Sequence, residues 1–378
     1  MKKKVAIIGS GIAGLTFANL LKSNSNIDLT VYEKETILSL DEGYGIQLAP
    51  NSISILNKIG FSNLNKNDFF NPSKLNFYSS DNKKICDLNL SNFNSGNAKY
   101  TTLKRSILIE FLKSSLFKNN IRFGKEVQKI SKIKEKLLIN FKDNTNDLVD
   151  FVIVSDGVFS KTKSVIENKN IKPNYNGSIA IRTILKPLQE FNYDKNNVSL
   201  VMLKNAHIVI YPINKKHEYN LVCIVRQKLS SRINLNELIK KEILSQNKNL
   251  ESLFKSKLDY WPIYVTKKPS KSIYENLFYL GDAFYTFPPT MAQGASQSIE
   301  AAYELFNLLS EGKKKFQSLY YQKRLAKTKL INSRSRLNYY SFHLSNPLLV
   351  KARNTILKKI TKNKKLLNSY LGNIYQQI

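Results

Sequence analysis

Three glycines and one glutamate near the N-terminus have the spacing of a dinucleotide-binding turn. Gly9, Gly11 and Gly14 form G-x-G-x-x-G directly after the apolar run Val5 to Ile8, and Glu33 lies nineteen residues beyond Gly14. The first glycine permits a tight turn, the second lets a pyrophosphate approach the backbone, and the third lets a helix pack on a strand. Because Glu33 can bind a ribose and would repel a 2′-phosphate, the pattern favours FAD or NAD over NADP. The alternative is an ordinary glycine-rich turn.

Two aspartates follow predicted buried strands further along the chain. Asp156 comes after the apolar run Phe151 to Val154, and Asp282 comes after Leu277 to Leu280. Ligands of open α/β sheets bind at the carboxyl ends of strands, so the two carboxylates could hold a polyol chain. Gln293-Gly294 then begins an alanine-rich helix whose N-terminus would direct positive charge towards the same ligand. The alternative at Asp156 is a simple Asp-Gly turn.

Several cationic and titratable side chains are candidates for binding or catalysis. Arg105 begins a predicted helix, where a cation does not favour the helix dipole, so an anionic ligand is expected there. His207 could deprotonate or orient a phenol, and a structural histidine is the alternative. Arg182 could pair with a substrate carboxylate in a bidentate manner. Tyr211 and Tyr285 are candidates for pocket walls.

The hydrophobic patterns predict an α/β protein with two folding units and a helical C-terminal region. A Rossmann-like cofactor domain should be discontinuous and interrupted by a mostly antiparallel β-sheet substrate domain. The predicted boundaries are 1–73, 100–171 and 269–312 for the cofactor domain, 74–99 and 172–268 for the substrate domain, and 313–378 for the C-terminal helices.

An apolar stripe runs along the basic tail. Its members are Leu349, Ala352, Ile356, Ile360, Leu367, Leu371 and Ile374. A packed helix is the first interpretation, and a helix lying on a membrane surface is the alternative.

Composition narrows the functional classes. The 378 residues are 42% hydrophobic and 11% aromatic, which favours a globular protein. Two distant cysteines, Cys86 and Cys223, exclude a disulfide scaffold and a dithiol redox site, and no metal-ligand pattern occurs. We expect a cytoplasmic protein, because no signal peptide or spanning segment is recognisable.

The net charge of +31 comes from 59 Lys and Arg against 28 Asp and Glu. The lysines are spread along the chain and accompany many asparagines, which indicates a general composition bias. No nucleic-acid motif accompanies them, so no nucleic-acid partner is predicted. A weak contact with an anionic membrane stays open.

The motifs together resemble the FAD-dependent class A aromatic monooxygenases, the p-hydroxybenzoate-hydroxylase-like family, and within it the salicylate-hydroxylase-like branch. The segments that carry the resemblance are GSGIAG with Glu33, GYGIQLAPNSISIL at 43–56, LKRSILIEFL around Arg105, SDGVFS around Asp156, WPIY at 261–264, and GDAFYTFPPTMAQGASQSIEAA from Gly281. Arg182 also matches a family position. Lys163 stands where the family's Asp-Gly motif usually carries arginine.

The resemblance implies a role for particular residues around tightly but non-covalently bound FAD. Those implied at the ADP half are Gly9, Gly11, Ile12, Ala13, Gly14, Glu33, Lys34 and, beside the adenine, Val127. Those implied along the rest of the cofactor are Arg105, Asp156 and Asp282, with the backbone amides of Gly294, Ala295 and Ser296 at the flavin N1–C2 edge. Pro289 would lie over the reacting ring.

The implied activity is hydroxylation of a small aromatic compound, with a salicylate-like one as a candidate. NAD(P)H would reduce FAD, and O2 would form the flavin C4a-hydroperoxide that hydroxylates the ring. No second G-x-G-x-x-G occurs, so the nicotinamide should bind transiently without its own domain. Two alternatives stay open: a flavin-dependent reductase or dehydrogenase of an isoprenoid or lipid at a membrane surface, and a basic nucleic-acid-binding protein. A monomer and a homodimer are both compatible with the sequence.

Overall fold

A computed structural model describes residues 2–37, 44–116, 120–186, 192–229, 233–311 and 316–375. Residue 43, the first of the GYGIQLAP segment, and the predicted boundary between residues 312 and 313 lie outside these ranges. Among the described helices, none combines the length and the apolar character that crossing a membrane requires.

The described secondary structure alternates strands and helices in the first third and ends in helices. The strands are β1 Lys3–Ile8, β2 Ile27–Tyr32, β3 Gly45–Leu48, β4 Phe69–Phe70, β5 Lys74–Tyr78, β6 Lys84–Asn89, β7 Thr101–Lys104, β8 Ile121–Arg122, β9 Val127–Ile133, β10 Lys136–Phe141, β11 Asn146–Val149, β12 Phe151–Val154, β13 Asn174–Leu185, β14 Val198–Leu203, β15 Ala206–Pro212, β16 Tyr219–Arg226, β17 Asp259–Val265 and β18 Leu277–Tyr279. The α-helices are α1 Ile12–Leu21, α2 Pro50–Asn57, α3 Arg105–Ser114, α4 Lys161–Glu167, α5 Leu235–Ile239, α6 Gly294–Ser310, α7 Phe316–Phe342, α8 Pro347–Lys362, α9 Lys364–Leu367 and α10 Asn373–Tyr375.

A parallel sheet with the strand order β18-β12-β1-β2-β8 organises the N-terminal part. The central strands β1 and β12 are short, rich in β-branched residues and buried along most of their length, as parallel strands between two layers must be. Val5 and Ile7 of β1 face the core formed with α1 and α6. Ala6 and Ile8 face the opposite core, which the antiparallel sheet β11-β10-β9 covers. This arrangement confirms the predicted Rossmann-like fold class.

The larger sheet has the strand order β17-β13-β16-β15-β14-β5-β6. Its pairings are antiparallel except for β14 with β5, which run parallel. The mostly antiparallel second sheet is therefore confirmed, and β5 and β6 form a hairpin within it. A small antiparallel sheet, β3-β7-β4, lies between the two larger ones, with the amide of Gly45 bonded to Asn220 of β16 at 2.7 Å. The residue boundaries of the two domains stay a prediction.

The apolar stripe of the tail divides into two parts. Leu367, Leu371 and Ile374 are buried in a core shared with the larger sheet, as the packed-helix interpretation expects. Leu349 and Ile356 of α8 are instead 53% and 56% exposed. The packed-helix prediction therefore holds for residues 367–374 and for Ile360, which packs against the same core, whereas the rest of the α8 stripe is exposed.

Candidate active site

The predicted cofactor residues converge at the carboxyl edge of the parallel sheet. The last residues of β1, β12 and β18 lie side by side in register. Gly9 follows β1 directly, Asp156 lies two residues beyond the end of β12, and Asp282 lies three residues beyond the end of β18. Three segments separated by more than a hundred residues each thus meet at the edge where open α/β sheets bind ligands.

The three glycines of the motif have different surroundings. Gly9 has φ +100°, and a Cβ there would lie 2.8 Å from the Cα of Asp156. A Cβ on Gly14 would lie 2.2 Å from the carbonyl oxygen of Gly9, so helix and turn touch at this point. A Cβ on Gly11 would meet no described atom within 4 Å. Gly9 and Gly14 are therefore required by the protein's own packing, whereas Gly11 borders open space.

That open space lies at the N-terminus of α1. Gly11 is the N-cap, and neither a side-chain cap nor an acidic residue occupies the first turn of this described helix. The backbone amides of the first turn have no intrahelical partner and favour an anion. Ile12 and Ala13 form this turn, and the Ala13 side chain packs against Gly281 of the neighbouring loop. The turn therefore fits a phosphate group.

Glu33 is held beside the glycine turn. Its Oε2 accepts hydrogen bonds from the amide (2.9 Å) and the hydroxyl (2.6 Å) of Ser10, and its Oε1 accepts one from the amide of Glu35 (3.1 Å). The exposed Lys34 forms an ion pair with Glu35 at 3.2 Å. Ser10 was not among the predicted site residues, although its place inside the glycine motif was visible in the sequence. It orients the carboxylate towards the turn.

Val127 lies on the other side of Glu33. The amide of Lys125 donates to the carbonyl oxygen of Glu33 at 2.8 Å, which brings the start of β9 next to this residue. The Val127 side chain is buried in the core with Tyr32 and Phe141. A cofactor contact at Val127 would therefore involve the backbone.

The buried amine of Lys163 lies near both predicted carboxylates, those of Asp156 and Asp282. Asp156 accepts a hydrogen bond from the amide of Thr162 through Oδ2 (3.2 Å), while its buried Oδ1 has no hydrogen-bond partner in the described part of the chain. Burial raises the pKa of Asp282 to about 6, opposed by the positive charges of Lys163 and Arg105. Burial lowers the pKa of the Lys163 amine, opposed by Asp156 and other carboxylates. The free Oδ1 is a ready acceptor for a ligand hydroxyl.

This burial gives Asp282 a measurable effect on stability. Its folded pKa of about 6 lies above the ordinary 3.8, so the folded state binds the proton more tightly than the unfolded state. The contribution of Asp282 to the free energy of unfolding is complete below the unfolded pKa of 3.8 and is lost as pH rises through 6. We expect it to fall by about 1 kcal/mol between pH 5 and pH 7.5. Chemical unfolding of flavin-free protein should show this loss in the wild type and lack it in Asp282→Asn. An equal pH dependence of both proteins would contradict this assignment.

A cavity of about 660 Å³ adjoins the start of α6. It lies between the larger sheet, β3, the 289–292 loop and the C-terminal helices. All four predicted catalytic residues, Arg182, His207, Tyr211 and Pro289, line it, together with Gly294 and Ala295. The structure thus brings together side chains from separate strands and a loop in one cavity, which shares Gly294 with the small pocket that Asp282 lines.

Ser296 has a different position from its two neighbours. Its hydroxyl is buried and accepts a hydrogen bond from the amide of Ala49 (3.1 Å), and it contacts the hydroxyl of Ser52 at 3.0 Å. The side chain therefore fastens α6 to α2. Only its backbone amide remains for a ligand at the helix N-terminus.

Gln47 organises the polar end of the cavity. The hydroxyl of Tyr100 donates to Gln47 Oε1 at 2.7 Å, and Gln47 is also hydrogen-bonded to Tyr211. Burial raises the pKa of Tyr211, opposed by the positive charge of Arg182 and by the Gln47 bond. Tyr375, from α10, bonds to Tyr100. Gln47 lies inside the GYGIQLAP segment and could have been proposed as a site residue from it. No sequence pattern indicates a site role for Tyr375.

His207 is paired with His343, which lies in the connection between α7 and α8. Its Nδ1 lies 2.7 Å from Nε2 of His343, and both rings are buried. Burial lowers the pKa of His207 to about 3 and also lowers that of His343, and the positive charge of Arg226 depresses the pKa of His343 further, as a protonated His207 would. Both imidazoles are therefore neutral near pH 7. A base with so low a pKa accepts a proton poorly, so the geometry favours hydrogen bonding over deprotonation.

We therefore expect His207→Gln to keep the shape of the pH profile of kcat/KM between pH 6 and 8. The same variant should lose about 1–3 kcal/mol of stability, because His343 loses its buried partner. Steady-state rates across that pH range and urea unfolding measure the two effects. If His207 were the general base, the variant would instead lose its acidic limb and about 100-fold or more in kcat.

The family assignment comes from comparison with known proteins. The profile of the family described as FAD binding domain matches residues 2–318, from β1 through the cavity-lining start of α6 to α7. This chain belongs to the FAD-dependent aromatic monooxygenases. FAD is its cofactor, and the glycine turn, the free Asp156 Oδ1 and the open α1 and α6 N-termini fit that group.

Other flavin monooxygenases agree with this assignment. This monooxygenase is 24% identical to 3-amino-4-hydroxybenzoate 2-monooxygenase of Streptomyces platensis, over 91% of this chain and 89% of that protein. It is 21% identical to salicylate hydroxylase of Pseudomonas putida, over 82% and 77% of the two chains. Its fold resembles HpxO of Klebsiella pneumoniae, solved with FAD and uric acid, with a TM-score of 0.81, 16% identity and coverage of 98% and 96%. The structural likeness concerns the fold.

Proposed function

We propose that this flavoprotein uses NAD(P)H and O2 to hydroxylate an aromatic ring held in the 660 Å³ cavity. The observation that carries the proposal is the position of Gly294 and Ala295, which line the cavity at the N-terminus of the helix that follows Asp282. A ring in the cavity and a flavin beside Asp282 would meet there. Bound FAD supplies the redox chemistry, taking hydride from the nicotinamide and activating O2 for the hydroxylation.

Different groups of the protein would bind different parts of the ligand. The N-terminal end of α6 carries free backbone amides and a positive partial charge, which stabilise negative charge on a bound ring system. Asp156 and Asp282 would accept hydrogen bonds from the hydroxyls of a polyol chain. Burial raises the pKa of Asp282 to about 6, and the positive charges of Lys163 and Arg105 limit this rise, so the carboxyl is mostly charged near pH 7.

Arg182 and Tyr211 would orient the substrate at the polar end of the cavity. Arg182 can bind a carboxylate with two parallel hydrogen bonds, and Tyr211 with Gln47 can bind a phenolic oxygen. The relatives named above act on aminohydroxybenzoate and salicylate, which both combine a hydroxyl with a carboxylate. A phenolic substrate that carries an acidic group fits the same pair of side chains.

Stimulated NAD(P)H oxidation tests the proposal. Purified FAD-loaded protein is mixed with phenols, aromatic acids and apolar aromatic compounds, and product mass is measured under air and under nitrogen. Hydroxylation adds one oxygen atom and requires O2. A product that forms equally well without O2 would overturn hydroxylation in favour of a reductase or dehydrogenase.

Arg182 should contribute mainly to the binding of substrates that carry a carboxylate. We expect Arg182→Met to raise KM for a carboxylate-bearing substrate by about 10–100-fold, because a charged hydrogen-bonded pair contributes about 1.5–3 kcal/mol. A matched substrate without the carboxylate is the control, and its KM should change by less than about threefold. Equal losses for both substrates would show that Arg182 supports the cavity rather than the carboxylate.

A further inference from the structure

Three large apolar side chains of the cavity lining and Leu348, the chain neighbour of one of them, are exposed at the protein surface. Leu337 of α7 and Leu348, Leu349 and Ile356 of α8 are 54%, 77%, 53% and 56% exposed. Leu337, Leu349 and Ile356 also line the cavity, so they belong to its interior and to the protein surface at once. We call these four residues the apolar rim. An exposed cluster of this kind marks an interaction surface.

The rim is bordered by lysines in a regular helical arrangement. Leu348, Ala352 and Ile356 are spaced i, i+4, i+8 and share one face of α8. Lys351, Lys358 and Lys362, all exposed, follow at the side of that face. Residues 347–365 contain seven Lys and Arg and no Asp or Glu. The exposed part of α8 therefore carries an apolar stripe with lysines along one edge, and Lys359, three residues after Ile356, continues the apolar face at its C-terminal end.

We propose that this face of α8 docks on an anionic phospholipid membrane, with the apolar rim inserted between headgroups and the lysines on the lipid phosphates. Helices that lie in the membrane interface combine these two features. Each lysine near an anionic surface contributes favourably, and the neighbouring leucines lose their contact with water. No acidic side chain in the segment opposes the attraction.

The apolar rim distinguishes a membrane from other polyanions. A nucleic acid would be bound by the lysines through its phosphates and would leave Leu348, the most exposed large residue of the rim, in water. A lipid surface satisfies both features at once. The exposed leucines therefore favour lipid over nucleic acid.

The C-terminal segment is fastened to the cofactor side of the protein. Arg353 of α8 donates to the carbonyl oxygen of Ser341 at 3.1 Å. Asn51 donates to the carbonyl oxygen of Ile374 (3.3 Å), and Lys327 donates to that of Asn373 (2.8 Å). A membrane that holds α8 would thus hold the cavity opening in a fixed orientation against the lipid.

The docked opening would admit a substrate directly from the bilayer. The lining beneath the rim is apolar on the side of the C-terminal helices, with Leu344, Leu357, Ile360 and Leu371. Resting on the proposed aromatic hydroxylation, we assign to this side the apolar tail of a lipophilic phenol whose ring lies towards Arg182 and Tyr211. The membrane contact itself does not depend on that reaction.

Vesicle co-sedimentation of the FAD-loaded protein tests the docking. The vesicles contain phosphatidylcholine alone or phosphatidylcholine with phosphatidylglycerol, at low and high salt. We expect binding to the anionic vesicles that weakens with salt. Replacing Lys351, Lys358 and Lys362 by Gln should weaken it on the order of 100-fold, because each lysine contributes roughly fivefold. The matched control replaces Lys132, Lys255 and Lys257, which are exposed elsewhere, by Gln and should change binding less than about threefold.

A second variant tests the apolar stripe without touching the cavity lining. Leu348→Gln should weaken vesicle binding by about tenfold, with the flavin content and the turnover of a water-soluble substrate unchanged. Absent binding to anionic vesicles, equal losses in both lysine triples, or an unaffected Leu348→Gln would each overturn the docking. Tighter binding to duplex DNA than to vesicles would assign the face to nucleic acid instead. A protein that binds vesicles but hydroxylates nothing would retain the docking and overturn the proposed function.

Discussion

Gly11→Ala should yield a normally folded protein that binds FAD at least about 100-fold more weakly. A Cβ at Gly11 meets no described protein atom within 4 Å, and φ −79° is an ordinary angle for alanine. The added methyl group therefore costs the fold little but occupies space at the open N-terminus of α1. Loss of two backbone hydrogen bonds to a charged phosphate accounts for the expected change. Flavin fluorescence titration measures the affinity, and thermal unfolding of the flavin-free protein measures the fold.

Gly14→Ala is the matched comparison three residues away. Its Cβ would lie 2.2 Å from the carbonyl oxygen of Gly9 and 2.6 Å from the hydroxyl of Ser155. Helix α1 would have to move away from β1, so we expect the flavin-free protein itself to lose roughly 3 kcal/mol or more. If Gly11→Ala destabilised the flavin-free protein as much as Gly14→Ala, the open space beside Gly11 would not be the phosphate site.

Arg324→Met should destabilise the protein by about 3–5 kcal/mol, because it leaves the buried Glu304 without its cation and Glu300 with only Lys327, at 3.3 Å. Arg324 is 1% exposed and joins α7 to the flavin-side helix α6. Its guanidinium lies 3.2 Å from Glu300 and 3.1 Å from Glu304, and it donates to Gln297 at 2.7 Å. Denaturant unfolding of the flavin-free protein measures the loss.

Lys323→Met is the control, since it removes the same charge from the exposed side of α7 and should change stability by less than about 0.5 kcal/mol. Arg324→Lys should fall between the two, because one ammonium group cannot reach all three partners. A similar stability for Arg324→Met and Lys323→Met would mean that the buried cluster contributes nothing net.

Most elements that form the cofactor side were predictable from local patterns. Strand β12 has the limits of the predicted run Phe151–Val154, and β1 contains the predicted run Val5 to Ile8, because continuous apolar runs bounded by turn residues determine such strands locally. The small strands β4 and β11 were not predicted, since β4 has only two residues and β11 begins with the polar pair Asn146-Asp147, which breaks the apolar run. The Asp156 and Asp282 sites followed from the general rule for strand ends.

The candidate substrate site was only half predictable. The sequence indicates a separate reason for each of Arg182, His207, Tyr211 and Pro289. No sequence pattern predicts that these four residues line one cavity. His343 and Tyr375 come from the tail, which was predicted as packed helix without a role in a site. Their contacts join residues far apart in the chain, such as His207 and His343, which are separated by 136 positions.

By itself, the sequence determined the dinucleotide turn, the fold class and the resemblance to a flavoprotein family, because glycine spacing and hydrophobic period act over short stretches of chain. The tertiary structure alone decided that α8 exposes its apolar stripe at the mouth of the cavity, and that His207 is buried against His343 and neutral. Exposure and pKa depend on which distant segments exclude water from a side chain, and no local pattern records that.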